Sequence, residues 1–312
     1  MVAKRSSSEA IPRQSDPDYK TLAWNRLRVD VPVDWDISRI DRRYLMLECR
    51  GAPVMEVKWS SVKRPARPAT IFKQIKKNRK RYRDVREMPV PEQWEKALRG
   101  FDDVLCFCRA GGCISGQGVL LFSRSGGHVI LVQFFTSLQA PAGGVDVRVL
   151  STLKVGGDED PVIWSVFDIH AAVPKEFRLT GYRFSAGYFR MEFSGSEKKM
   201  MLYRWGPAIT LLRRVEMEYF ARKALNISSN MRRRRLPPES SAVEWNNMKA
   251  ENAAWRPRFF SFGHRRYRYV RIRHEKTASR LLAVELRSRR PLSREFFERI
   301  YAGYVSVPQK TI

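Results

Sequence analysis

Four cysteines supply the first candidate chemistry. Cys106 and Cys108 flank a single phenylalanine, Cys113 follows five residues later and Cys49 stands far upstream, which gives the number of thiolates a structural zinc ion takes. The spacing argues against a metal. Zinc knuckles carry at least two residues between their cysteines, whereas Cys-x-Cys on a strand only points two thiols to one face. Reduced, buried and inert thiols are expected, because free cysteine packs as a small hydrophobe. His128, His170, His264 and His274 fall in no metalloprotease-type pattern. The run Gly111 to Gly118 lacks the Lys-Ser/Thr that completes a phosphate loop. A Ser-His-Asp arrangement has no local signature here. The expectation is a protein with no catalytic residues, no metal and no cofactor.

Charge is the larger signal. The chain of 312 residues has a formal charge of +27 and an isoelectric point near 10.5, so its surface repels itself unless an anionic partner compensates. Nucleic acid, an acidic protein and anionic lipid are the candidate partners. Residues 1–160 hold 28 Lys and Arg against 19 Asp and Glu, and residues 161–312 hold 31 against 13. The second half carries the greater excess.

Three clusters stand out as anion-binding candidates. The first contains Lys73, Lys76, Lys77, Arg79, Lys80 and Arg81, beginning on an expected helix and running off its carboxyl end, where cations also complement the helix dipole. The second is the loop run Arg232, Arg233, Arg234 and Arg235. The third is a strand in which Arg266 and Arg268 share one face while Tyr267, Tyr269, Arg271 and Arg273 share the other. Phosphates held by these arginines and bases stacked on Tyr267 and Tyr269 are one reading. A solvated edge strand guarded by charge is the other.

Stepping along the chain, landmarks recur in order between Trp24–Val155 and Trp164–Val307. Each stretch opens on Trp24 or Trp164 and a Val-Pro break, Val31-Pro32 or Val173-Pro174. A hairpin follows, from Tyr44 or from Tyr188, and then a proline, Pro68 or Pro207, ahead of helical periodicity. Strands rich in β-formers come next, and each stretch closes on a short helix and a last strand. The domains expected are a polar tail over 1–22, a first copy over 23–155, a linker over 156–162, and a second, more basic copy over 163–312. The fold class expected is α+β, with two tandem copies of an antiparallel sheet flanked by helices.

This order, with its Val-Pro opening and its closing Leu150-Ser151-x-Leu153 or Ile300-Tyr301-x-Gly303 helix, resembles the PsbP-like superfamily. The resemblance spans nearly all of both copies. It implies an antiparallel sheet with flanking helices and an adaptor role, and it carries over no functional residue.

The first twenty residues lack the apolar core of a secretory signal, and no apolar run approaches the ~20 residues a spanning helix needs. A cytoplasmic location is expected. The function expected is non-enzymatic binding of an anionic polymer, RNA or DNA, through the basic loops and the basic, aromatic strand. The alternative is an adaptor or assembly subunit docking on an acidic protein.

Overall fold

The structure is a computed structural model and describes residues 18–61, 68–77, 85–109, 115–123, 127–136, 144–157, 160–229, 231–234, 236, 241–246 and 267–307. The chain forms two compact units, one holding residues up to Leu22 and Arg28–Val155, the other Ala23–Leu27 and Gly156–Thr311.

Along the chain come β1 (Tyr19–Trp24), whose last two residues belong to the second unit, β2 (Leu27–Pro32), whose first residue does, and then, within the first unit, β3 (Asp36–Asp41), β4 (Tyr44–Cys49) and β5 (Ala52–Ser61). It continues through α1 (Pro68–Lys77), β6 (Val85–Met88), α2 (Glu92–Leu98), β7 (Asp103–Arg109), β8 (Ser115–Ser123) and β9 (His128–Thr136), and ends on α3 (Val145–Thr152) and β10 (Lys154–Val155). Its main sheet has seven antiparallel strands in the order β3-β4-β5-β9-β8-β7-β6. Alternation along β7 and β8 turns Leu105, Phe107, Leu120 and Phe122 toward Phe72 of α1, and these residues form one buried cluster. Gly118 is required there, because a Cβ at that position would stand 2.3 Å from the Phe107 ring.

The second unit comprises β11 (Val162–Val166), β12 (Ile169–Val173), β13 (Arg178–Ser185), β14 (Tyr188–Ser194), β15 (Lys198–Trp205), α4 (Ala208–Leu211) and α5 (Met217–Ala224). It continues with β16 (Arg232–Arg234), β17 (Ala242–Asn246), β18 (Tyr267–Glu275), β19 (Arg280–Ser288), α6 (Arg294–Ala302) and β20 (Tyr304–Ser306). Its seven antiparallel strands run β13-β14-β15-β19-β18-β17-β16, the same succession of first, second, third, last and then backwards as in the first unit.

The α+β class expected from the sequence is corrected by these elements. Among the described residues there are twenty strands against six helices, and no helix exceeds ten residues. The fold is sheet-dominated. The physical reason lies in the short opening and closing strands, which pair with each other into a further sheet instead of only edging the two main ones. In the second unit β11, β12 and β20 form an antiparallel ladder, and Ala23 faces Ser165 beside it. In the first unit β10, β2 and β1 are neighbours in the same way.

The helical periodicity expected after Pro207 is carried by two short helices, α4 and α5. Leu211 and Leu212 pack against the core, Arg213 and Arg214 are exposed, and packing resumes at Met217. No described helix is long and apolar enough to cross a membrane.

Candidate functional site

The basic, aromatic strand β18 lies between β17 and β19 and is covered on both faces. On one face Val270 and Ile272 join Met201, Tyr203, Trp205 and Trp245 in a core closed by Ala208 of α4 and Ala221 and Leu225 around α5. On the other face Tyr269, Arg271 and Arg273 meet α6. Tyr269 stacks on Phe297 with ring centroids 5.2 Å apart. The guanidinium carbons of Arg271 and Arg273 sit 4.4 and 4.6 Å from the centre of the Tyr301 ring.

α6 forms where it does for local reasons. Ser293 is its N-cap and accepts a hydrogen bond from the Phe296 amide, Glu295 lies in the first turn and Arg299 in the last, and Phe297 and Ile300 are its buried stripe.

Each arginine of the strand has an internal use. Arg268 donates to Glu285 Oε1 at 2.7 Å and to the carbonyls of Asn226 at 2.9 Å and Leu225 at 2.5 Å. Those carbonyls end α5, so Arg268 satisfies acceptors that the helix itself cannot. Arg273 does the same for α6, donating to the carbonyls of Tyr301, at 3.1 Å, and Tyr304, and also to Glu275. Arg271 is buried and bridges Glu244 to Glu298, with 2.7 Å to each Glu298 oxygen. One strand thus caps a helix on each of its two faces.

The charges balance because the interior holds carboxylates. Glu244 and Glu285 are fully buried, and a buried carboxylate is tolerated only when paired and hydrogen-bonded. Glu285 accepts from Arg268, from Arg287 at 2.5 Å and from the Tyr203 hydroxyl at 3.1 Å. Burial, with the nearby Glu285 charge, pushes the Tyr203 phenol well above its ordinary range. Asp168 is the third such centre, clamped between Arg204 and Arg280, the latter at 2.6 Å. Gly206 makes room for that clamp, since a Cβ there would lie 2.7 Å from the Arg280 side chain.

The other candidate residues are placed as follows. Arg232, Arg233 and Arg234, expected in a loop, form the edge strand β16 opposite Asn246, Trp245 and Glu244. Arg233 reaches Glu218 at 2.8 Å and Arg234 reaches Glu244 at 3.5 Å, whereas Arg232 is exposed. Tyr267 is half-buried at the start of β18. Lys73 and Lys77 are exposed on α1. Arg79, Lys80, Arg81, Arg235, Arg266 and the side chain of Lys76 lie outside the described residues, as does Cys113.

Cys106 is buried and burial pushes its thiol up to about 11. Cys49 is half-buried and donates to Asp34 at 3.2 Å. Among the described residues no three His, Cys, Asp or Glu side chains group as metal ligands. An open cleft in the first unit, about 620 Å³, is lined among the described residues by Met88, Pro91, Glu92, Gln93 and Gln117.

The helical periodicity after Pro207 counts Ile209 and Tyr219 among its apolar positions with Leu212 and Val215, and the structure corrects this for both. Ile209 of α4 is 75% exposed and Tyr219 of α5 is 58% exposed, the two highest values among the described large hydrophobic side chains. Arg213, Arg214 and Lys223 are exposed on the same two helices and the turn between them. Leu211, Leu212, Met217, Phe220 and Ala221 fill the inward positions, which leaves Ile209 and Tyr219 outside the apolar stripe.

No protein-family model and no curated protein matches the chain. Among solved structures, the apo immunity protein TplEi of T6SS from Pseudomonas aeruginosa is similar at 12% identity and a TM-score of 0.35, over 94% of this chain and 99% of that one. A TM-score of that size decides nothing about shared function.

Proposed function

We propose that the protein is a non-catalytic binding protein whose partner is an acidic protein. The observation that carries this reading is the division of positive charge in the second unit. Arg268, Arg271 and Arg273 serve buried carboxylates and helix ends, while Arg213, Arg214, Lys223 and Arg232 face solvent.

A platform for single-stranded nucleic acid needs aromatic faces open to bases. Tyr269 is buried against Phe297 and offers none. What faces solvent instead is cationic and partly apolar, the composition expected of a surface whose contact centre is apolar and whose rim steers by charge. An adaptor role is also what the PsbP-like resemblance implies.

The test is a salt titration with three probes: a random copolymer of glutamate and tyrosine, RNA, and duplex DNA. All three should bind at low salt, as polyelectrolytes bind any strongly basic protein. Near 0.15 M salt, nucleic-acid binding should fall to the non-specific range of about 10⁻⁴–10⁻⁶ M while the acidic polypeptide is retained more tightly. Tighter retention of RNA or DNA at that salt would overturn the proposal in favour of nucleic acid.

A further inference from the structure

We infer that the α4–α5 side of the second unit, centred on Ile209 and Tyr219, is the docking surface for an acidic protein segment that carries apolar or aromatic side chains. The inference rests on the acidic-partner reading and adds the place and the anchors.

The surface is the outer side of two helices whose Ala208, Leu211, Met217, Phe220 and Ala221 pack inward. Pro207 starts α4, Ala208 turns inward and is completely buried, and Ile209 therefore turns out. In α5, Phe220 packs edge-on against Trp205 at 5.5 Å and Ala221 is buried, so Tyr219 is directed to solvent. Neither side chain is needed to close the core beneath. A scattered exposed hydrophobe requires no explanation. These two belong to the pair of helices that closes one core cluster, and they share it with Arg213, Arg214 and Lys223.

Charge identifies the occupant. Residues 207–236 contain eight Lys and Arg but only two acids, Glu216 and Glu218. Glu218 is already engaged, by Arg222 at 3.3 Å and by Arg233 at 2.8 Å. A partner covering this face therefore meets positive charge that no acidic side chain among the described residues neutralises, together with two exposed apolar side chains. An acidic polypeptide with apolar side chains matches both features. The surface is also held rigidly, because Arg268 fixes the carboxyl end of α5 and Arg233 ties α5 to β16.

The experiment compares the full chain with two double variants, I209S/Y219S and R213Q/R214Q, in fluorescence anisotropy against polyglutamate and the glutamate–tyrosine copolymer at equal charge. Thermal unfolding is measured on the same samples. The parent should prefer the copolymer by about tenfold, the size of effect one or two anchors produce. I209S/Y219S should lose that preference and still bind polyglutamate. R213Q/R214Q should weaken both ligands and flatten the salt dependence. Unchanged copolymer preference in I209S/Y219S would overturn the docking surface while leaving an acidic partner in place. Failure of the parent to bind either acidic polymer, with RNA still bound, would overturn the underlying reading as well.

Discussion

Tyr269 and Phe297 lie ring on ring, with planes 27° apart and centroids separated by 5.2 Å. The tyrosine that the sequence offers as a stacking platform for bases already stacks on a residue of its own unit. Tyr269→Ala should therefore act on stability, costing about 3 kcal/mol as large-to-small changes of buried aromatics do. Calorimetric or optical melting should show the loss, and copolymer binding below the new transition should match the parent. A weakened affinity without a change in melting would contradict the packing role.

Arg271 and Glu244 are both buried, and neither tolerates the loss of the other. Glu244→Ala should destabilise the second unit by about 3–5 kcal/mol, because it leaves a guanidinium buried with only Glu298 to meet it. The double variant E244Q/R271M should recover much of that, since replacing both members of a buried pair by uncharged groups is often close to neutral. Chemical unfolding of the two variants checks the order. Equal losses in both would mean that the pair stabilises beyond mutual neutralisation.

Low pH gives a directional expectation. The hydrogen bonds from Arg271 hold the Glu298 carboxyl below its ordinary range against the opposing effect of burial. A carboxylate depressed in the folded state adds stability at pH values above its unfolded pKa, and that stability is lost as pH falls through the folded value. The parent should lose stability between roughly pH 5 and the depressed value more steeply than E298Q. Melting temperatures of both proteins over that window provide the comparison, and parallel curves would refute the linkage.

Thiol chemistry separates the cysteines. With its thiol pushed up to about 11 by burial, Cys106 should stay unmodified by iodoacetamide at pH 8 until the chain is unfolded. Peptide mapping by mass spectrometry after brief alkylation reads this directly. Rapid modification of Cys106 in the folded protein would show that the first unit opens on that timescale.

Much of the strand pattern was legible in the residues. His128–Thr136 and Arg280–Ser288 are continuous β-forming runs and are strands over those same residues. Alternation along Tyr267–Arg273 likewise assigned Tyr269, Arg271 and Arg273 to one face. What alternation does not reveal is which face meets solvent. Arginine spacing looks the same whether the partner is a phosphate or Glu244, which lies 27 residues away in sequence. The role of Arg268 at the end of α5 depends on a contact 43 residues distant. The sheet-dominated class was hidden for a related reason, since a last strand is expected in each copy but its partners are not, and Lys154–Val155 and Tyr304–Ser306 complete a third sheet with the opening strands. Ile209 and Tyr219 were readable as outward positions only once α4 and α5 were known to be separate helices.

Hydrogen exchange on the full chain, with and without the glutamate–tyrosine copolymer, locates the docking surface, because it reports which backbone segments a bound acidic polypeptide covers. Protection should appear over Ala208–Ala224, including the turn with Arg213 and Arg214, and should leave Tyr267–Glu275 unchanged, since that strand is already paired on both sides. Protection confined to other basic segments, such as Pro68–Lys77, with no change over Ala208–Ala224, would contradict the account.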